Sequence, residues 1–164
     1  MTEQAATRQV FRIVIKASAQ AIWDAITSPE WSERYGYGGR VEYELKAGGQ
    51  YCHKASAEMK AAGLPERMIV GEVIESDPPR KLVQTWHPLF NDATAAEAPT
   101  RLSYEIRESP AGVSTVTITH DVEGAPMVAG MVSGGGDPAQ GGGGWPWVLS
   151  DLKSLLETGA RMPT

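Results

Sequence analysis

The chain has 164 residues, 41% of them hydrophobic and 21% charged, which is enough for one domain with a sizeable core and rules out a disordered composition. Its formal net charge is -5 and no basic patch stands out, so no nucleic acid is expected as a partner, and no apolar run is long enough to cross a membrane. The single cysteine, Cys52, excludes an internal disulfide and a cysteine-based zinc cluster; with no charged-then-apolar leader at Met1 to Val10, a cytoplasmic protein is expected.

Val10 to Lys16 is rich in β-branched residues and predicts a strand, with Phe11, Ile13 and Ile15 on one face. Ser18 offers an N-cap for a short helix whose apolar stripe is Ala19, Ile22, Trp23 and Ile26. Ser28 and Pro29 start a second short helix, because a missing N–H costs nothing in a first turn. It carries Trp31 and Tyr35 and stops at Gly36. Arg40 to Leu45 alternates, with Val41, Tyr43 and Leu45 opposite Glu42 and Glu44, as a half-buried antiparallel strand requires. Ala47-Gly48-Gly49 then turns the chain into a strand over Gln50 to Ala55.

Gly71 to Trp86 reads as two strands folded over Asp77-Pro78-Pro79, the second with Leu82, Gln84 and Trp86 on one face. Asn91 to Thr100 is small and polar and predicts a mobile loop. Arg101 to Glu108 and Val113 to His120 form a last hairpin, with Leu102, Tyr104 and Ile106 facing inward beside Val116, Ile118 and His120. That makes seven strands. Val122 to Gly144 carries two glycine runs and fits either a flap over a cavity mouth, with Met127 and Met131 as adaptable contacts, or a disordered connector; the choice stays open for 133–144. Finally Trp145, Val148, Leu149, Leu152, Leu155 and Leu156 form one helical stripe, with Pro146 in the first turn and Gly159 as the C-terminal cap. Nothing marks a linker or repeat, so residues 1–164 are expected to form a single domain.

This order, with Ala21 to Pro29, Gly48 to Tyr51, Gly71 to Glu75, Asp77-Pro78-Pro79, Leu82, Thr85-Trp86 and Gly144-Trp145 with Leu149, Leu152 and Leu155, resembles the START-like or SRPBCC superfamily. Within it the chain is most similar to the group related to the C-terminal domain of the activator of the 90-kDa heat-shock protein ATPase. The resemblance implies an α+β helix-grip fold: a seven-stranded curved antiparallel sheet around a long C-terminal helix, with two short helices after the first strand. It also implies a cavity for an apolar or amphipathic small molecule, and it spans relatives that carry ligands, that are cyclases or hydrolases, or that act as co-chaperones.

Side-chain parity nominates Tyr51, His53, Gln84, Trp86, Tyr104 and His120 as the polar or amphipathic lining of such a cavity, and Tyr35, Met68, Trp145, Leu149 and Leu152 as its apolar walls. His53 and His120 are the candidate acid–base groups should the cavity host chemistry, since histidine titrates near neutral pH. His87 has the opposite parity and is expected in solvent. The three histidines lie on different strands without ligand spacing, and no phosphate loop or dinucleotide fingerprint is present, so neither a metal nor a cofactor is expected. Glu75 shares parity with Val73 at the strand end and reads as a rim carboxylate, and Cys52 alternates outward as a quiet thiol. Trp147 points away from the helix stripe; an exposed tryptophan calls for a cover, either the glycine segment or the second subunit of a homodimer.

Overall fold

The computed structural model describes residues 7–163. Seven strands form one antiparallel sheet: β1 (Arg8–Ile15), β2 (Arg40–Tyr43), β3 (Gln50–Lys54), β4 (Arg67–Asp77), β5 (Lys81–Pro88), β6 (Thr100–Glu108) and β7 (Ser114–Asp121), in the spatial order β1-β7-β6-β5-β4-β3-β2. The helices are α1 (Ala19–Thr27), α2 (Pro29–Ser32), α3 (Ala57–Ala61), α4 (Asp92–Ala96), α5 (Pro126–Val132) and α6 (Gly144–Thr158). The curved sheet and the C-terminal helix α6 make the helix-grip architecture expected from the sequence. Among the described residues no helix is long and apolar enough to cross a membrane.

Register explains the core. Gln84 pairs with Leu102, which pairs with His120, and Leu82 pairs with Tyr104, which pairs with Ile118. Residues opposite one another share a face, so these rows all point inward. The α6 stripe closes over them, with Trp145, Leu149, Leu152 and Leu155 buried. Ser18 caps α1 by accepting the Ala21 N–H at 3.1 Å, and Ile22, Trp23 and Ile26 join the core.

Several expectations change. β2 ends at Tyr43, leaving Leu45 exposed. α2 stops at Ser32 because that side chain turns to the next strand: Oγ accepts the Val41 N–H at 3.0 Å and lies 3.0 Å from the Gly39 carbonyl it can donate to. β4 starts at Arg67, four residues before its predicted start, and a bulge between Val73 and Glu75 breaks their shared parity. Val73 is buried while Glu75 is exposed and 3.4 Å from Lys81. Asn91 to Thr100 holds α4, capped reciprocally by Asn91 and Thr94. Cys52, read as outward, is buried. His87 is half-buried, with Nε2 3.0 Å from the Ala95 carbonyl.

Candidate functional site

Between the sheet and the segments around it lies a cavity of about 450 Å³. Its sheet-side wall is Tyr43, Tyr51, His53, Met68, Ile69, Trp86 and Tyr104. Trp145 and Val148 reach it from α6, Met131 and Val132 from α5, and Tyr35 to Gly38 from the loop after α2. Ile26, Val41, Met59, Leu64 and Phe90 complete the apolar lining. Among the described residues no aspartate, glutamate, lysine or arginine borders it.

Of the residues nominated from parity, Tyr35, Tyr51, His53, Met68, Trp86, Tyr104 and Trp145 come together on this cavity. Gln84, His120, Leu149 and Leu152 lie behind the lining, in the packed core. For Leu149 and Leu152 the reason is position along α6: they share the stripe of Trp145 and Val148, but only those two, nearer the helix start, meet the cavity. Gln84 is fully buried, and its Oε1 accepts the Tyr43 hydroxyl at 2.6 Å, so it acts on the lining through that tyrosine.

His120 is fully buried and engaged on both sides. The Trp145 indole N–H can only donate, so Nδ1 accepts it at 3.0 Å. The other ring nitrogen must then carry the proton and donate to Thr100 Oγ1 at 2.8 Å, which in turn donates to the Trp86 carbonyl at 2.7 Å. This chain ties the sheet to the start of α6 and leaves no free nitrogen for proton transfer. Burial pulls the imidazole down to about 4, and a neighbouring charge on Asp121 opposes that in part. The ring therefore positions Trp145, which packs 5.9 Å from Trp86 and edge-on to Tyr104 at 6.1 Å.

His53 faces the cavity. Its Nε2 lies 2.8 Å from the Gly38 carbonyl, so it donates there and Nδ1 is the acceptor. Burial lowers its pKa and the bond to Gly38 works the other way, leaving a neutral ring. Gly39 has φ +80, and a Cβ there would sit 2.6 Å from the Lys54 carbonyl and 2.8 Å from His53 Nε2, so glycine is what lets the loop approach this ring. Burial raises the pKa of four of the cavity's tyrosines, Tyr35, Tyr43, Tyr51 and Tyr104, so these are neutral hydroxyls at physiological pH.

The mouth is held by bonds that span the sequence. The Tyr37 hydroxyl donates to the Pro138 carbonyl at 3.0 Å and accepts the Gly143 N–H at 2.9 Å, while its ring lies 6.5 Å from Trp147. Trp147 is thus half-buried within its own chain, under Tyr37 and beside Gly143. Its indole N–H is enclosed without an acceptor among the described residues. Of the two methionines placed ahead of the glycines, Met131 lines the cavity and Met127 is exposed. The backbone N–H groups of Met127 and Val128, at the start of α5, are taken by the Glu97 carboxylate at 2.8 and 3.1 Å. Asp151 on α6, fully buried, accepts from Gly36 N at 2.8 Å, Met162 N at 2.7 Å and Arg161 Nε at 3.3 Å. Sequence reasoning passed over Tyr37, Glu97 and Asp151 because their partners are remote; a carboxylate on the buried side of a helix was the one available signal.

Comparison with known proteins follows the same outline. The family described as Activator of Hsp90 ATPase homolog 1-like protein matches residues 16–157. Among solved structures, CalU16 from Micromonospora echinospora superposes with a TM-score of 0.64 at 15% identity, over 93% of this chain and 77% of that one. The Aha1 dimer from Colwellia psychrerythraea gives 0.63 at 17% identity, over 94% and 98%. PFC0360w, an HSP90 activator from Plasmodium falciparum, gives 0.55 at 19% identity, over 93% and 89%. A search of curated proteins finds no matching sequence.

Proposed function

The chain belongs to the Activator of Hsp90 ATPase homolog 1-like family, and on that premise we propose that it binds an uncharged, mainly apolar small molecule in the cavity between the sheet and α6. One observation carries this reading: a space of about 450 Å³ bordered by aromatic, aliphatic and methionine side chains and by no charged one among the described residues. That volume lies in the range of small-molecule sites, and apolar walls around a few polar groups are their usual composition. Affinity would come from burial, at roughly 25 cal/mol per Å² of apolar surface. Tyr35, Tyr51, His53, Met68, Trp86, Tyr104 and Trp145 are the proposed contacts from the original set, and Tyr43, Met131 and Val148 join them.

Calorimetric titration with 2-acetylnaphthalene, a neutral two-ring probe, tests the reading, alongside native mass spectrometry of freshly purified protein. Wild-type protein should take up the probe, or release a co-purified apolar compound. Met131→Trp, which plugs the cavity from α5, should abolish uptake while the protein still unfolds cooperatively. No uptake by either route, or equal uptake by the plugged variant, overturns it. A second reading, partnership with an Hsp90 chaperone, is favoured by the family description and by a solved activator of which this chain covers 89%. Stimulation of an Hsp90 ATPase that persists in the plugged variant would support it.

A further inference from the structure

Resting on that reading of the cavity, we propose that the molecule it takes is a carbonyl compound, whose oxygen is received by the hydroxyl of Tyr51 or of Tyr104. Tyr35 donates to the Ala25 carbonyl at 2.9 Å and Tyr43 donates to Gln84 Oε1 at 2.6 Å, so both protons are already used by the protein. Tyr51 is different: its proton reaches no acceptor among the described residues. Tyr104 packs edge-on to Trp145, and its hydroxyl has neither donor nor acceptor among them. Both side chains border the cavity.

A hydroxyl removed from water without a partner is costly, so a ligand that expels the cavity's water must replace the bonds that water made. Each of the two hydroxyls holds a proton with no taker, so the first thing a ligand must bring is an acceptor. A carbonyl oxygen accepts without donating and can take either proton. An anionic oxygen could take one too, but no cationic side chain borders the cavity among the described residues, and an unpaired charge in an apolar space is heavily penalised. Burial keeps both phenols protonated, which keeps them donors. The remaining lone pair at this end, Nδ1 of His53, suits a ligand hydroxyl but makes no claim on the carbonyl.

The test compares 2-acetylnaphthalene with 2-isopropenylnaphthalene, which has the same shape with a methylene in place of the oxygen. Dissociation constants come from quenching of tryptophan fluorescence, since Trp86 and Trp145 both border the cavity. The ketone should bind about tenfold more tightly, although the olefin is the more apolar of the two. In the Tyr51→Phe/Tyr104→Phe double variant the preference should vanish, because the ketone loses its donors and the olefin no longer strands two hydroxyls; saturable olefin binding at or above wild-type affinity also reports that the variant is folded. If wild-type protein binds both probes equally, or the double variant retains the preference, the carbonyl inference is overturned and the ligand site stands. If wild-type protein binds neither and releases no co-purified apolar compound, the ligand site itself falls.

Discussion

Trp86, Tyr104 and Trp145 reach the cavity from fully paired strands and from a helix clamped to them, whereas Tyr37, Met131 and Gly141 reach it from connecting segments held by a few long-range bonds. On the first side, each lining residue is positioned by register, and the Trp145–His120–Thr100–Trp86 chain adds a fixed link between helix and sheet. On the second side, position depends on a hydroxyl and two carboxylates. Local stability follows the density of such contacts, so the sheet-side wall should define the cavity's shape and the connecting wall should open first. This is the division a binding protein needs, because a cavity closed equally on all sides cannot exchange its contents.

The largest test of this contrast is Asp151, the strongest anchor of the connecting wall. It is fully buried and receives two backbone N–H groups and the Arg161 guanidinium, and Arg161 also donates to the Gly36 carbonyl at 2.6 Å. Asp151→Ala leaves those donors without their acceptor, and a loss of about 3–4 kcal/mol is expected by urea denaturation. A loss under about 1 kcal/mol would mean that the Gly36 loop is held by something else and that the contrast is drawn in the wrong place.

A comparable effect should come from the sheet-side wall in acid. Folding holds the His120 pKa at about 4 against an ordinary 6.5, with burial as the main cause. Between those values the unfolded chain binds a proton that the folded chain refuses. Stability is therefore complete above pH 6.5 and declines as the pH falls toward 4, by about 3 kcal/mol over that window. Protonation would also put a hydrogen on Nδ1, where the Trp145 N–H needs an acceptor. His53, lowered in the same direction by burial, adds to the acid loss, so wild-type protein has to be compared with His120→Gln. The variant should lose less between pH 7 and pH 4.5; parallel losses would show that His120 is not the group responsible.

The same contrast separates what could be read from the sequence. Alternation and helical phase are local, and they disclosed the strands, the α6 stripe and the inward set from Leu82 to His120. They did so because each of those residues obeys a period of two or of 3.6. Parity failed where the backbone loses its period, as at the bulge that separates Val73 from Glu75. It also names only a face, so it could not tell Gln84 and His120, enclosed in the core, from Trp86 and Tyr104, which meet open space one residue pair away. The connecting wall had no period to read. The start of α5 is capped by Glu97, thirty residues earlier, and no local signal could report that bond. Phe90, Met59 and Leu64 went unassigned for the same reason, since they sit on short segments whose placement is decided by the cavity they help to close.

The smallest expected effect is the most discriminating. Tyr37→Phe keeps the ring against Trp147 and removes only the hydroxyl that joins Pro138 and Gly143. The residue is 38% exposed, so water replaces much of what is lost, and global stability should fall by less than about 1 kcal/mol. Locally the change is larger, because this hydroxyl is the bridge between the loop after α2 and the segment leading into α6. Hydrogen exchange at the Gly143 amide should accelerate several-fold, with amides of β5 and β6 unchanged, and a bound probe should dissociate faster at similar affinity. Exchange that rises equally in β5 and β6 would mean that the cavity opens with the whole fold, and the two walls would then be one cooperative unit.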